Sequence, residues 1–156
     1  SPFVLAGLLC AGTMQAQDAD PAAYVRFHTQ ATAGDSALVL RRKPDSASIR
    51  FAVRPALDLR IVARAIVSRS VTDGFDVLVE LTNDGRVRFQ EMTQKIAGQR
   101  LGIIVDDKLS DAPVIDASLR AARIPIALGK KSEVSAARLA NEINVRIAQL
   151  RPKSHE

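Results

Sequence analysis

The sequence predicts an α+β fold in which a mainly antiparallel sheet carries two helices packed on one face. Several short segments alternate apolar and polar residues, which is typical of half-buried strands. Two longer segments instead repeat apolar residues at spacings of three and four, which is typical of helices. The segments follow one another in the order strands, helix, strands, helix, and this order favours the α+β class.

Three short strands are predicted in the first third of the chain. Residues 24–28 and 49–53 alternate apolar and polar side chains, and residues 38–40 form a short apolar segment between them. Residues 57–67 are rich in β-branched side chains, but their pattern does not distinguish helix from strand. For this part we favour a short helical turn at residues 55–58, followed by a strand.

A longer strand and the first helix occupy the middle of the chain. The alternating residues that share one face of the strand are Phe75, Val77, Val79 and Leu81. Asn83 is a favourable helix N-cap, and Gly98 is typical of the residue that follows a helix. The apolar residues with helical spacing between them are Phe89, Met92 and Ile96. The helix is therefore predicted to run to about Ala97.

Three further strands and the second helix are predicted in the last third. Residues 101–105 are entirely apolar, which favours a central strand, and Asp106–Lys108 turns the chain. Residues 113–115 and 123–128 follow as strands. Pro125 has no N–H to donate, so the strand that contains it should lie at a sheet edge or carry a bulge.

Ser132 is predicted to cap the last helix, which should end near Leu150, before Pro152. The residues expected to face inward are Val134, Leu139, Ile143 and Ile147.

Length and composition fit one soluble domain, or one domain with a small appendage. The chain has 156 residues, of which 47% are hydrophobic and 25% charged. Its net charge is +5, but the basic residues are scattered, and 4% aromatics without tryptophan supply few rings for stacking on bases. The composition therefore argues against nucleic-acid binding.

No motif in the sequence predicts catalysis or a cofactor. One cysteine excludes a disulfide scaffold and a thiolate zinc site, and two histidines leave little for a metal enzyme. Gly129–Ser132 resembles the end of a phosphate-binding loop, but Ile124 stands where that loop needs glycine. Asp106 and Asp107 are adjacent on a turn, which does not suit opposed acid and base roles. We predict a protein that is not an enzyme and that has neither cofactor nor metal.

The N-terminal segment, residues 1–17, is uncharged and contains an apolar run at residues 3–12. This run is too short to span a membrane, which takes about 20 residues, but it fits a secretory signal with a small residue, Ala16, near a cleavage site. The alternatives are a first strand, a buried helix, an uncleaved anchor, or lipidation at Cys10. The domains are then the signal-like segment (1–17), N-terminal strands (18–54), the main domain (55–150) and a tail (151–156).

From about residue 57 to residue 142, the motifs resemble the head of the first periplasmic domain of SecD, a subunit of the SecDF protein-export machinery. The matching elements are Val77–Leu81, Gly85, Phe89, Thr93, Gly98–Leu101, Ile103–Asp106, Asp111–Ile115, Gly129, Glu133 and Ala136–Ala140. Two departures are Asp107, where the family usually has glycine, and residues 119–123, which replace a glycine-rich segment. Residues 18–54 would then include the tail of the base that precedes the head.

The resemblance implies an extracytoplasmic, non-enzymatic binding module associated with protein export. Its partners would be unfolded or exported polypeptide, Sec translocon subunits, or the membrane surface. A sheet edge could capture an extended chain through backbone hydrogen bonds, although Pro125 and nearby arginines could equally blunt that edge. The alternative is a small envelope protein that reuses the head fold to bind another protein, the cell wall or anionic lipid. The residues we predict for partner binding are Asp106, Asp107, Lys108, Arg120, Arg123, Lys130 and Lys131.

Overall fold

The computed structural model describes residues 19–41, 46–71, 73–126 and 132–152. The predicted signal-like segment at residues 1–17, with Cys10, lies outside these ranges, and so do Lys130 and Lys131. The strands are β1 (Val25–Thr29), β2 (Ala37–Leu40), β3 (Ile49–Ala52), β4 (Leu57–Asp58), β5 (Val62–Arg69), β6 (Phe75–Leu81), β7 (Leu101–Val105), β8 (Lys108–Asp111) and β9 (Arg123–Ile126). The helices are α1 (Asn83–Lys95) and α2 (Glu133–Leu150), and two 3-10 turns lie at Pro21–Tyr24 and Leu59–Ile61.

All strand pairs of the described residues are antiparallel, which confirms the predicted α+β class. The strands form three sheets: a four-stranded sheet in the order β4-β1-β7-β8, a three-stranded sheet in the order β5-β6-β9, and the β2–β3 hairpin. The 3-10 turn at Leu59–Ile61 leads the chain out of the four-stranded sheet, so that β5 begins a separate sheet.

One hydrophobic core lies between the two larger sheets and the two helices. β1 and β7 contribute Phe27 and Ile103, while β6 contributes Val77 and Val79. The rings of Phe27 and Phe89 meet edge to face, with their centroids 6.2 Å apart and their planes at 76°. Full burial of a side chain of this class contributes about 1.5–3 kcal/mol, so this shared core holds the sheets and helices together.

A second, smaller core covers the opposite face of the four-stranded sheet. Phe51 of β3 is fully buried there against Ile104, Leu109 and Ala112. A β-carbon at Gly102 would lie only 2.7 Å from the Cε1 atom of Phe51. The ring therefore packs directly on the backbone of β7 and helps to hold the β2–β3 hairpin against the sheet.

His28 of β1 joins the hairpin to the same face of the sheet. Its buried imidazole donates from Nδ1 to the carbonyl oxygen of Ala52 at 2.7 Å, and Nε2 has no hydrogen-bond partner among the described residues. Burial lowers the pKa of His28 below its usual 6.5; the bond to Ala52 opposes this shift and the Arg26 guanidinium adds to it. The neutral ring is therefore the form that the folded chain favours.

Folding is expected to become less favourable as the pH falls below about 6.5. In that range His28 takes up a proton in the unfolded chain, whereas in the folded chain it stays neutral until the pH reaches its lower folded pKa. The urea midpoint of the wild type should fall more steeply between about pH 7.5 and about pH 5.5 than that of His28→Gln. The glutamine can still donate to Ala52 but does not titrate. Parallel curves for the two proteins would contradict this role of His28.

Helix α1 begins one residue earlier than predicted. Thr82, not Asn83, is the N-cap, and its side chain accepts a hydrogen bond from the Gly85 N–H at 2.9 Å. Asn83 is the first helical residue, because the threonine hydroxyl already satisfies an N–H of the first turn. Gly98 has a φ of +82°, which agrees with its predicted place after the helix.

The helical turn also differs in place from the prediction. The sequence favours residues 55–58, but Leu57–Asp58 forms the short strand β4 and the 3-10 turn follows at Leu59–Ile61. Asp58 caps this turn, since its side chain accepts from the Arg60 N–H at 2.9 Å. Because the Asp58 carboxylate accepts from the N–H two residues later, it stabilises a turn that begins directly after Asp58.

The chain between β7 and β8 makes a tight hairpin. Asp106 and Asp107 have φ angles of 50° and 61°. A two-residue loop with positive φ at both positions is a type I′ turn, which suits the twist of paired strands. Asp107 thus adopts the left-handed conformation that glycine adopts most readily.

The strand predicted at residues 113–115 forms only an isolated bridge, between Arg100 and Val114. Lys108–Asp111 forms β8 instead, because pairing with β7 starts directly after the tight turn. The ladder is then interrupted by a register shift between Ile103 and Ile104.

β9 and α2 follow the prediction with one correction. Pro125 lies on the edge strand β9, and Ser132 caps α2, as expected. Ile143 and Ile147 are buried, but Val134 is 69% exposed, so its predicted inward position is wrong. The buried stripe starts at the small residues Ala136 and Ala140, and a residue two positions before Ala136 faces away from it.

Within the described ranges, neither helix is long and apolar enough to cross a membrane.

Candidate functional site

The described members of the predicted partner-binding set lie in two separate parts of the fold. Asp106, Asp107 and Lys108 are exposed at the turn between β7 and β8 of the four-stranded sheet. Arg120 is exposed in the segment before β9, and Arg123 lies on β9 of the three-stranded sheet. The other two predicted residues, Lys130 and Lys131, lie outside the described residues.

The turn residues are tied to the start of β1. The carboxylate of Asp107 contacts the guanidinium of Arg26 at 2.7 Å, and the Asp106 N–H donates to the Tyr24 carbonyl oxygen at 2.9 Å. These contacts explain how the left-handed conformation of the turn is held in place.

Arg123 takes part in a cluster that spans the three-stranded sheet. Glu80 of β6 lies directly between Arg64 of β5 and Arg123 of β9 in the strand register. Arg123 Nη2 lies 2.8 Å from Glu80 Oε1, and Arg64 Nη2 lies 3.2 Å from the same oxygen. The hydrogen bond from Arg64 is the largest cause that lowers the pKa of Glu80, and Arg123 acts in the same direction. The cluster combines two positive charges with one negative charge.

Sequence reasoning missed Arg64 and Glu80. Both belong to alternating strand patterns, in which a polar position indicates exposure to solvent and gives no sign of a partner. Their proximity depends on the register of β5, β6 and β9, which pairs residues from separate parts of the chain.

Beside this cluster lies a row of apolar side chains. Ile66, Leu78 and Pro125 are paired directly across β5, β6 and β9. They lie on the face opposite Val77 and Val79, because successive strand residues point to opposite faces. Ile66 and Leu78 are half-buried and Pro125 is exposed, so the outer face of this sheet is partly apolar.

The outer edge of β9 lacks a hydrogen-bond donor at its centre. The Leu81 N–H donates to the Ala122 carbonyl oxygen at 3.0 Å, so Ala122, Ile124 and Ile126 direct their backbone groups toward β6. Pro125 therefore directs its nitrogen away from β6 and loses no bond of the ladder. A strand approaching this edge would find no N–H at Pro125.

The outer edge of β5 is covered over part of its length by α2. The Asn144 side chain accepts from the Ala65 N–H at 2.8 Å and donates to the Ala65 carbonyl oxygen at 2.9 Å. Arg151 donates to the Ala63 carbonyl oxygen at 3.2 Å. A shallow groove of about 610 Å³ runs between β5 and these helix residues.

No described residue pairs with the rest of this edge. The Ser70 N–H donates to the Gly74 carbonyl oxygen at 3.0 Å. From Arg64 onward, the even-numbered residues of β5 therefore direct their backbone N–H and C=O groups toward β6, and the odd-numbered residues direct theirs outward. Val67 and Arg69 thus direct their backbone N–H and C=O groups away from β6. Among the described residues, β5 pairs with β6 alone.

The described part of the chain shows no group of three His, Cys, Asp or Glu side chains placed to hold a metal ion. Its chemistry consists of backbone groups at the sheet edge, a partly apolar outer face and paired arginines. Such a surface offers hydrogen bonds, charge and apolar contact to a partner.

Comparison with known proteins agrees with this architecture. A solved structure of a membrane component SecDF that enhances protein export is 21% identical, with a TM-score of 0.59; the match covers 76% of this chain and 60% of that one. SecDF in a super-membrane-facing form is 21% identical, with a TM-score of 0.58, over 76% of this chain and 18% of that one. The chain thus spans only part of either structure, and at this identity the likeness shows a common fold.

No curated protein matches the sequence significantly. The family model described as the SecDF P1 head subdomain matches residues 35–145, from before β2 into α2. Because this match covers more than two thirds of the chain, the protein belongs to the SecDF P1 head subdomain family.

Proposed function

We propose that this chain is a non-enzymatic, extracytoplasmic binding module that contacts exported polypeptides, the Sec translocon, or both. The observation that carries the proposal is the family match over residues 35–145. It is supported by the likeness to a SecDF that is described as enhancing protein export. The apolar, uncharged segment at residues 1–17 is consistent with secretion.

The surface of the three-stranded sheet suits a partner without fixed structure. An exported polypeptide is extended and carries its backbone N–H and C=O groups unpaired. A sheet edge satisfies those groups whatever the side chains are, and the half-buried Ile66 and Leu78 beside it add apolar contact. Binding of this kind needs no nucleophile, metal or cofactor.

Site-specific photo-crosslinking in cells tests this proposal. A photoreactive amino acid at Arg69, on the open edge of β5, should crosslink to a secreted protein stalled during export or to a Sec subunit. The matched control is Val87, which is 56% exposed on helix α1. We expect crosslinks from position 69 that are absent or weaker from position 87. Absence of exported chains and Sec subunits from the products at both positions, and at further exposed positions such as Val39 and Val134, would contradict the proposal.

A further inference from the structure

We propose that the outer edge of β5 at Val67 and Arg69 accepts an extended, acidic polypeptide segment as an added strand, and that Asn144 determines where this strand ends. The inference rests on the proposed function and specifies how the partner is held.

The two edges of the three-stranded sheet differ in their capacity to pair. On β9 the outward positions are Arg123 and Pro125, and Pro125 supplies no N–H. On β5 the outward positions Val67 and Arg69 each supply a donor and an acceptor. An added strand can therefore form a regular ladder with β5 but not with β9.

The Asn144 side chain occupies the next pairing position on β5. Its amide oxygen and nitrogen bond the N–H and C=O of Ala65, as the backbone of a neighbouring strand would. Arg151 blocks the position beyond it by donating to Ala63. An added strand is thus limited to Val67 and Arg69. Because so short a contact has few backbone hydrogen bonds, the binding should be reversible.

The charges around this edge favour an acidic segment. β5 carries two arginines and no carboxylate, and Arg151 lies at its covered end. On β6, Glu80 is already shared by two arginines, and Asp76 is paired with Ser68, so its carboxylate lies one strand inward from the open edge. Asp73 belongs to the following hairpin. The groups that line the edge itself are therefore neutral or positive, which complements negative side chains.

Binding to a synthetic peptide tests the inference on the purified chain. The probe is a peptide of about ten residues in which threonine and valine alternate with occasional glutamates, compared with an analogue that has lysines in place of the glutamates. Fluorescence anisotropy measures affinity, and amide hydrogen exchange by NMR shows which backbone N–H groups become protected. We expect protection at Val67 and Arg69, and weaker binding of the lysine analogue.

Two substitutions at position 69 separate backbone pairing from charge. Arg69→Pro removes the outward N–H without removing a bond to β6, and should weaken binding by about tenfold. Arg69→Gln keeps the N–H and should weaken binding only severalfold. Asn144→Ala should strengthen binding and extend the protection to Ala65, because it frees that position for the added strand.

The outcomes separate this inference from the proposed function. Peptide binding that protects neither Val67 nor Arg69, or that is unchanged in a folded Arg69→Pro variant, overturns the edge inference and leaves the proposed function standing. Lack of binding to either peptide also overturns the edge inference, whereas the proposed function fails only if the crosslinks in cells are absent. If Arg69→Pro does not fold, the exchange pattern of the wild type decides alone. An unchanged affinity of Asn144→Ala overturns the role of Asn144.

Discussion

Replacing Gly85 with alanine is expected to destabilise the protein by about 1–3 kcal/mol, although the same change within an exposed helix stabilises by about 0.5–1 kcal/mol. Gly85 lies in the first turn of α1 and is buried. A β-carbon there would lie 2.4 Å from the carbonyl oxygen of Ile61 and 2.9 Å from the Oγ1 atom of Thr82. Real β-carbons essentially never lie so close to another heavy atom, so the backbone has to move.

The neighbours of Gly85 have little freedom to make room. The Ile61 carbonyl oxygen accepts a hydrogen bond from the Thr82 N–H at 2.9 Å. Ile61 also ends the 3-10 turn that joins the two larger sheets, and Thr82 is the N-cap of α1. Relief of the clash would therefore disrupt the Thr82 cap, the 3-10 turn or both. Gly85→Ala is thus expected to lower the stability, whereas the same change in an exposed helix raises it.

Urea unfolding of Gly85→Ala against the wild type measures this effect. The matched control is Gln94→Ala, an exposed position of the same helix, where we expect a change within about 0.5 kcal/mol. A Gly85→Ala variant as stable as the wild type, or more stable, would show that the close contact with Ile61 does not constrain the fold.

The positions of most elements could be predicted because their signals are local. The alternation of Val77, Val79 and Leu81 identifies β6, and the missing N–H of Pro125 assigns β9 to an edge without knowledge of its partner. The division into three sheets could not be predicted. It depends on the 3-10 turn at Leu59–Ile61, which the Asp58 side chain caps. The sequence of that segment contains several turn signals and does not show which of them the chain uses.

The candidate site was less accessible to sequence reasoning. Arg123 was predicted from its charge, but its link to Glu80 depends on the pairing of β6 with β9. Asn144 and Ala65 are separated by 79 positions in the chain, and an asparagine in a helix gives no local sign that it bonds a strand edge. The difference between an open and a covered edge is therefore a property of tertiary packing.

Phe51→Ala is expected to destabilise the protein more than Gly85→Ala does, by about 3–5 kcal/mol. Phe51 is fully buried and supplies the aromatic ring of the smaller core, against Ile104 and Leu109. Its removal leaves a cavity over Gly102 and loosens the β2–β3 hairpin, whereas the main core keeps its contacts. Amide hydrogen exchange should therefore increase first in β2 and β3. The matched control is Val39→Ala on the same hairpin, where the side chain is 56% exposed and the change should be within about 0.5 kcal/mol.

A double-mutant cycle shows whether the ring acts through its contact with β7. Gly102→Ala alone should destabilise, because its β-carbon would lie 2.7 Å from Cε1 of Phe51. Once Phe51→Ala has removed the ring, the added methyl group enters the cavity and the cost of Gly102→Ala should largely disappear. The two changes should thus couple by about 1 kcal/mol or more, the range found for residues in contact. Additive effects would mean that Phe51 holds the hairpin by burial alone and that its contact with the backbone of β7 contributes nothing specific.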